Sequence, residues 1–511
     1  MFRTMSSPLV CLALIAGCTS PAALSRSPAR SADAPPTTVP ASGQATAAVT
    51  SLPSASPAPT LSPSASLGPT LSPSASPRPG PSAREVGLDI QMAPGRDGTL
   101  FVSIPRPAGS VLSLIDRSDG STLPGWPVVT REALVCGQPL PVEDGSVRIV
   151  CTLQNPQGNM FNPIGAFAFD STGRRLPGWP IHLPGTAYAA RVVGDALTLA
   201  ETIPLGDVIA EGQPSHTVGL VTVAADGSVR RGVPIPAVPA WPGDRWAIGP
   251  DGIAYGAQGS VASPKMSQVT AIDLNGVRAG WPISIEGIAS APTFDPDGRI
   301  VLTVASAVEL GTTGTTRVFI IGPSGQAIAA RSSELAVMTG LLPPTSDGYF
   351  ESGVPLPRPP IVAPDGAMFV FSDLDEAIYR LDADLKPVSA WPITAGPLER
   401  PDPWRDQGGI SSPRVAVPAV GPSGTFYLPQ VARNESVGGR LLAVGPDGRT
   451  ASGWPVELRR AGSEFWTVVV GPSGTVYALA IEPEGVRGSS ATILAIAPDS
   501  SVIYARTILD P

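Results

Sequence analysis

The chain has 511 residues, 61 of them proline and 55 glycine, and a formal net charge of −8 at pH 7. So many helix-breaking residues argue against a mainly helical protein, and the acidic charge argues against partners such as nucleic acid or a bare anionic lipid surface. The length exceeds that of a usual single core, which predicts several domains or a repeat architecture.

The N-terminus has the features of a bacterial export signal. Arg3 precedes a short apolar run at 9–15, which is too short to span a bilayer. The run ends in Ile-Ala-Gly-Cys at 15–18, and this tetrapeptide resembles the lipobox of bacterial lipoproteins. The resemblance implies a signal peptide over 1–18, membrane lipid attached to Cys18, and an extracytoplasmic protein anchored to the bacterial membrane or cell surface. An ordinary signal peptide, cleaved after a small residue, is the alternative.

Residues 19–84 are dominated by Ser, Pro, Ala and Thr, and LSPSAS occurs twice, at 61–66 and 71–76. A segment with so little apolar surface to bury is expected to stay disordered and partly extended. At ~3.1 Å per residue it could reach roughly 200 Å at most. We therefore expect a stalk over 19–84 that carries a folded domain over 85–511.

A tryptophan motif recurs along that domain. LPGWP occurs at 123–127 and at 176–180, each time with a glycine six residues before the tryptophan. The same frame, in part degenerate, gives eight positions at intervals of 48 to 63 residues. These positions are Trp126, Trp179, Val233, Trp281, Arg331, Trp391, Trp454 and Arg506.

A second set of turns alternates with the first. Pro-Asp-Gly or Pro-Ser-Gly precedes a β-branched run at 250–252, 296–298, 364–366, 422–424 and 472–474, with weaker equivalents at 97–98, 144–145 and 194–195. Proline presets φ and glycine takes the positive-φ position, so each is a predicted hairpin turn. Each unit then has four strands, which predicts an all-β protein: an eight-bladed β-propeller of four-stranded antiparallel blades.

The tryptophans fall on or just before the predicted outermost strand of a blade. We expect Trp126, Trp179, Trp281, Trp391 and Trp454 to wedge against the neighbouring blade, with ligand stacking as the alternative. Proline is tolerated beside them because an edge strand has no further partner. The units are in phase along the chain, so no exchange of strands between first and last blade is expected.

The repeat resembles the PQQ-like, quinoprotein-type β-propeller repeat over nearly all of 85–511. Ala-Ile-Asp-Leu-Asn-Gly at 271–276 with Trp281 is one example, and VGPSGTVY at 470–477 is another. Active quinoproteins also have an adjacent Cys-Cys disulfide, a calcium site and a catalytic aspartate. This sequence has no adjacent cysteines. We therefore assign no catalytic residue, no metal and no cofactor, with PQQ and calcium considered and set aside.

Other sequence features that would indicate catalysis or metal binding are equally sparse. The two histidines, His182 and His216, are far apart in sequence and suggest neither a zinc site nor a catalytic triad. Three carboxylates at 373–376 could bind calcium, but a solvated turn is the simpler explanation. Cys136 and Cys151 flank a predicted hairpin, and export favours a disulfide between them, with two buried thiols as the alternative.

The long connections carry the candidate binding residues. They follow second and fourth strands and therefore gather on one face, where recognition often lies. Two of them, 339–357 and 397–412, should be neighbours and supply Tyr349, Phe350, Arg400, Asp402, Trp404, Arg405 and Asp406. These aromatic and arginine side chains are typical of contact hot spots, or else they simply pack the loops down.

The function predicted from these features is that of a membrane-tethered extracytoplasmic lipoprotein. Its propeller would serve as a non-catalytic binding or scaffolding module for an unidentified protein or glycan. The alternative is an extracytoplasmic cofactor-dependent enzyme, either a PQQ-type oxidoreductase or a carbohydrate-active protein.

Overall fold

The structure, a computed structural model, consists of β-strands and turns throughout the part it describes. The described residues are 90–106, 108–153, 163–204, 216–237, 245–260, 266–305, 316–324, 358–372, 377–395, 418–430, 437–483 and 489–509. The predicted signal peptide and stalk, and the boundaries assigned to them, lie outside these residues.

The strands form eight antiparallel sheets, one per blade, in chain order. Blade 1 contains β1 (Gln91–Pro94), β2 (Leu100–Ile104), β3 (Ser110–Ile115) and β4 (Val128–Thr130). Blade 2 contains β5 (Ala133–Cys136), β6 (Leu140–Pro141), β7 (Val147–Leu153), β8 (Ile164–Phe169) and β9 (Ile181–Leu183). Blade 3 contains β10 (Thr186–Val193), β11 (Ala196–Pro204), β12 (His216–Val223), β13 (Val229–Arg231) and β14 (Ile235–Ala237). Blade 4 contains β15 (Arg245–Ile248), β16 (Ala254–Ser260), β17 (Met266–Asp273), β18 (Gly276–Val277) and β19 (Ile283–Glu286).

The second half repeats the pattern. Blade 5 contains β20 (Ile288–Ala289), β21 (Thr293–Phe294), β22 (Ile300–Ala305) and β23 (Thr316–Ile321). Blade 6 contains β24 (Ile361–Val362), β25 (Met368–Ser372), β26 (Ala377–Leu381) and β27 (Ile393–Thr394). Blade 7 contains β28 (Ala419–Val420), β29 (Phe426–Gln430), β30 (Arg440–Val444) and β31 (Val456–Glu457). Blade 8 contains β32 (Glu464–Val470), β33 (Val476–Pro483), β34 (Ser489–Ile496) and β35 (Val502–Leu509).

Some blades split one strand into two short pieces. In blades 2 and 5 the first strand is interrupted, since β5 and β6 both pair with β7, and β20 and β21 both pair with β22. In blades 3 and 4 the fourth strand is interrupted in the same way. The eight-bladed, all-β fold predicted from the sequence is confirmed.

The ring closes between complete blades. Blade 1 contains β1 to β4 and blade 8 contains β32 to β35, so among the described strands neither blade borrows one from the other. The first strands β1 and β32 are neighbours across this junction. The prediction that the units are in phase, with no exchanged strand, is therefore confirmed.

The core lies in the middle strands of each blade. β2, β8 and β22 are buried along their whole length, because neighbouring blades cover both faces of the sheet. Such strands are near-continuous apolar runs, as in other sheets that are covered on both sides. We found no helix in the described residues with the length and hydropathy needed to cross a membrane.

Candidate functional site

The two ends of the propeller differ in the length of their connections. On the turn face, the link between first and second strands has five residues in every blade except blade 3, as in 95–99 and 471–475. The glycine that is fourth in each of these turns has φ between 76° and 84°, a region that favours glycine. On the opposite, connection face, links range from the single residue Gly287 to the 24 residues 395–418.

The turn face is where the repeated tryptophans join one blade to the next. Trp126 is 7% exposed, and its ring meets Phe101 of its own blade at 5.8 Å and Phe169 of the next blade at 6.2 Å, both edge-on. Its indole Nε1 donates to the carbonyl of Ser171, in the third turn of blade 2, at 3.2 Å. The indole therefore fills the junction and also pairs a backbone carbonyl.

The same contact recurs around the ring. Indole Nε1 atoms donate to the next blade's turn from Trp179 to Ala225 at 3.0 Å, from Trp391 to Pro446 at 3.4 Å and from Trp454 to Pro498 at 3.2 Å. Trp281 is also buried, but its Nε1 finds no partner within the described ranges. All five tryptophans precede a cis proline. The structure thus places them between blades, as the wedge interpretation expects.

The residue before tryptophan lets the turns meet closely. A Cβ added at Gly125 would lie 2.0 Å from the carbonyl oxygen of Thr172, and one at Gly178 would lie 2.2 Å from that of Asp226. Both glycines also have positive φ, of 87° and 81°. A side chain is therefore excluded twice over at these positions.

Sequence reasoning missed a second member of the motif. Three residues after the turn glycine, blades with a slot tryptophan carry Phe101, Tyr255, Phe369 or Tyr427, and each packs on its own blade's tryptophan. Blade 2 has Arg148 there instead, with its guanidinium 5.6 Å from the Trp179 ring centroid. Burial lowers the pKa of Arg148, and cation–π contact with the indole offsets part of that cost. The fixed offset from the glycine was the signal that could have revealed this position.

The junction between blade 8 and blade 1 uses different side chains. Arg506 occupies the tryptophan position, and its guanidinium donates to the carbonyl of Gly120 and, at 2.6 Å, to Oγ1 of Thr122. Tyr477 donates its hydroxyl to the carbonyl of Gly98. Arg106 Nη2 donates to the carbonyl of Ile508 at 3.1 Å. Three side chains from the two blades thus pair backbone carbonyls across this junction.

The junction between blades 3 and 4 is a further exception. Val233 takes the tryptophan position but is 56% exposed, and its backbone N–H donates to the carbonyl of Leu274 at 3.1 Å. The apolar filling comes instead from Trp246 on the first strand of blade 4. A Cβ at Gly256 would lie 2.6 Å from this indole, so the neighbouring strand makes room for it.

Aspartates on the turn face are engaged by their own turns. Asp116 accepts from the backbone N–H and hydroxyl of Ser118, and Asp170 accepts likewise from Thr172. These hydrogen bonds, from the hydroxyl first, lower the pKa of both carboxyls. Hydrogen bonds from Ser501 do the same for Asp499. The hydrogen bonds of each aspartate are made within its own turn.

A cavity of about 640 Å³ opens between the inner strands of blades 3, 4 and 5. Its walls are mostly apolar and include Ala189, Ala247 and Phe294, together with Arg191. The buried Asp295 also lines it, but Arg299 and two backbone N–H groups already occupy that carboxylate. The cavity therefore presents one cationic side chain, that of Arg191, and few other polar groups to a ligand.

Cys136 and Cys151 form a disulfide in the structure. They face each other across strands β5 and β7, 15 residues apart in sequence. Both lie in the apolar cluster that contains Trp126 and Phe167, so the bond is part of the junction between blades 1 and 2.

The two histidines are separated by the fold. His182 is exposed on β9, whereas His216 is buried at the start of β12. Within the described ranges, no group of three or more His, Cys, Asp and Glu side chains is placed to hold a metal ion.

The predicted recognition residues lie outside the described ranges. They are Tyr349, Phe350, Arg400, Asp402, Trp404, Arg405 and Asp406, as well as Arg331 of the repeat, the acidic stretch 373–376 and the lipobox cysteine Cys18. The connection 397–412 lies between the described strands β27 and β28, and the connection 339–357 precedes the described strand β24.

No protein-family model matches the chain, and no curated protein matches its sequence. Among solved structures, it is similar to the β-propeller domain of the trilobed protease from Pyrococcus furiosus, which has an open velcro topology (9% identity, 73% of this chain and 97% of that chain, TM-score 0.39). It is also similar to virginiamycin B lyase from Staphylococcus aureus (13%, 64% and 96%, TM-score 0.32) and to a eukaryotic initiation factor (11%, 78% and 93%, TM-score 0.41). At these identities and TM-scores the likenesses bear on neither activity nor ligand.

Proposed function

We propose that this chain is an extracytoplasmic lipoprotein with a PQQ-like β-propeller that works as a non-catalytic binding or scaffolding module. Membrane lipid would attach through Cys18, and the stalk over 19–84 would hold the propeller away from the membrane. The partner would be a protein or a glycan bound at the connection face.

One observation carries the assignment of the binding face. The turn face is uniform, with five-residue turns in seven blades and local hydrogen bonds to its aspartates. The connections on the opposite face vary in length from blade to blade. A rigid scaffold with variable connections at one end is the usual arrangement for recognition.

Crosslinking in intact cells would test the binding face. A photo-crosslinking amino acid would replace Trp404 on the connection face, and a matched variant would carry it at Ser473, an exposed residue of a turn. We expect one discrete, reproducible adduct from position 404 and none from position 473. Equal adducts from both positions, or an adduct from 473 alone, would contradict the assignment.

Lipid attachment needs a separate experiment. Cells fed an alkyne fatty acid should label the chain, and Cys18→Ser should abolish the label and release the protein from the membrane fraction. Native mass spectrometry with added PQQ and calcium would then address the enzyme alternative. We expect no stoichiometric mass increase, whereas a bound quinone with calcium would favour a cofactor-dependent oxidoreductase.

A further inference from the structure

The cavity between blades 3, 4 and 5 lies where the inner strands of the propeller are irregular. In blade 3 the pairing of β10 with β11 shifts register between Ala187 and Ala189, and only Gly194 and Asp195 separate the two strands. In blade 5 the inner strand is interrupted between β20 and β21. Irregularities of this kind are frequent beside functional sites. The cavity of about 640 Å³ lies between these strands and β15, and its size is typical of a small-molecule site.

Most of the cavity wall is apolar. It includes Ala189, Ala247, Phe294 and three prolines. The ring of Phe294 packs on Tyr255 with 5.5 Å between centroids, but Phe294 is only half-buried, so part of its ring is open to a ligand. An apolar molecule would be stabilised here because both it and the wall would lose contact with water.

Among the charged and hydroxyl side chains of the wall, Arg191 is the one with donors to spare. Asp295 is held by hydrogen bonds within its own turn, and the hydroxyl of Thr293 donates to the carbonyl of Val301 at 3.2 Å. Arg191 donates from Nη1 to the carbonyl of Ile248 at 3.4 Å. A guanidinium has five N–H donors, so most of those on Arg191 are left for a ligand.

A second arginine adds positive charge beside the cavity. Arg245 and Ala247 are two residues apart on β15, so their side chains share one face of the strand. Arg245 donates from Nη1 to the carbonyl of Ala289 at 2.7 Å. Burial lowers the pKa of Arg245 to about 10, so it stays charged at neutral pH.

Neither of these arginines forms an ion pair with a carboxylate in the described part of the chain. The carboxylate of Asp295, which also lines the cavity, is paired with Arg299. The cavity therefore has two uncompensated positive charges next to an apolar wall. An anion that entered it would be stabilised by both charges.

We propose that this cavity binds a small organic acid, whose carboxylate pairs with Arg191 and whose apolar body packs against Phe294 and Ala247. The planar fork of arginine matches the two oxygens of a carboxylate, and an inorganic anion would leave the apolar wall uncovered. The wall includes Pro250 and Pro296 of two first turns, so the site lies toward the turn face. It is therefore distinct from the partner site proposed for the connection face, and the two can be tested separately.

A pair of probes of nearly the same shape separates the contribution of charge from that of the apolar body. Cinnamate carries a carboxylate on a flat apolar group, and cinnamamide replaces the carboxylate with a neutral amide. We expect the purified full chain to bind cinnamate at a single site in isothermal titration calorimetry, and to bind cinnamamide at least about tenfold more weakly. Equal affinities, or no saturable binding of cinnamate at millimolar concentration, would overturn the proposal.

Matched arginine variants test where the carboxylate binds. Arg191→Gln should weaken cinnamate binding to the level of cinnamamide and leave the affinity for cinnamamide unchanged, because the variant removes the charge and keeps the apolar wall. Arg230→Gln is the control, since Arg230 is an exposed arginine on the outer strand β13 of the same blade. It should change neither affinity. If Arg191→Gln weakens both probes equally, or if the control has the same effect, the proposed pairing with Arg191 is wrong.

Filling the cavity provides a test that does not depend on charge. Ala247→Phe adds a ring to the wall and should largely abolish the binding of both probes. Thermal melting would show whether this variant is folded, and Ala189→Leu, a smaller filling change on β10, serves the same purpose if it is not. Undiminished cinnamate binding by a folded filling variant would place the ligand elsewhere and contradict the proposal.

Discussion

The junctions on either side of blade 1 solve the same problem with different chemistry. Between blades 1 and 2, Trp126 fills the gap and donates one hydrogen bond, and the Cys136–Cys151 disulfide lies in the same apolar cluster. Between blades 8 and 1, Arg506 and Tyr477 donate to backbone carbonyls above a core of aliphatic side chains. The acceptor, a turn carbonyl, is common to both. At these two junctions the turn carbonyl keeps a side-chain donor of the right reach, and the residue that supplies the donor changes.

The comparison predicts unequal costs of mutation, the largest at the tryptophan. Trp126→Ala removes a buried ring that contacts both blades, and we expect the free energy of unfolding to fall by about 3–5 kcal/mol. Denaturant unfolding measures this loss directly. Val129→Ala, an exposed neighbour on β4, is the control and should change stability little. A loss below about 1 kcal/mol at Trp126 would mean that the indole is not a principal contact of the junction.

The disulfide of the same junction should come next. For a loop of 15 residues the chain-entropy account predicts a contribution of about 3 kcal/mol. The double variant Cys136→Ala/Cys151→Ala should lose about that amount, and the wild type should lose a similar amount under reducing conditions. If reductant destabilises the double variant equally, the effect does not come from this bond.

The arginine junction should be less sensitive. Arg506→Ala removes two hydrogen bonds from a charged donor, and we expect a loss of about 1.5–3 kcal/mol. Arg506→Lys keeps the charge but loses the planar fork, so it should recover part of the loss. Full recovery by lysine would show that charge alone holds the junction, and a loss larger than that of Trp126→Ala would reverse the proposed ranking.

Acid should have the smallest effect on stability, and it should act on both junctions. Hydrogen bonds lower the pKa of Asp116 and Asp170 in the folded chain, so the ionised carboxylates stabilise the fold above their ordinary pKa. This contribution is lost as pH falls through the lowered values. We expect melting temperature to decline below about pH 4, with a shallower decline in Asp116→Asn. An unchanged slope would exclude that turn as a source.

The sequence was sufficient to predict the architecture because the repeat is periodic. A glycine with φ between 73° and 77° lies six residues before a tryptophan in blades 1, 2 and 7, and the sequence repeats variants of this frame in the other blades. The positive φ is a strict backbone requirement, so the period stays visible. Arg506 had been placed in the tryptophan position, but its bonds to Gly120 and Thr122 could not be deduced. Those bonds depend on how the last blade meets the first, a contact between residues nearly 400 positions apart.

The site was less predictable for a related reason. Trp246 replaces Val233 as the filler between blades 3 and 4, and nothing in its local sequence marks the exchange. The partner residue that follows each turn glycine has a constant offset but a variable identity, and it is arginine in blade 2. The candidate recognition residues in the long connections have no periodicity in the sequence, so only their composition suggested them.

Each of the eight sheets, as far as the structure describes them, is built from one continuous stretch of chain, and this has an evolutionary consequence. A gene duplication or deletion of ~50 codons, the interval of the repeat, would add or remove a whole blade and leave the others intact. A propeller that shares a strand between its first and last blades constrains such events at its closure. In this protein a repeat unit could be inserted at any boundary between blades. The last blade would then need to supply only a hydrogen-bond donor that reaches the first blade.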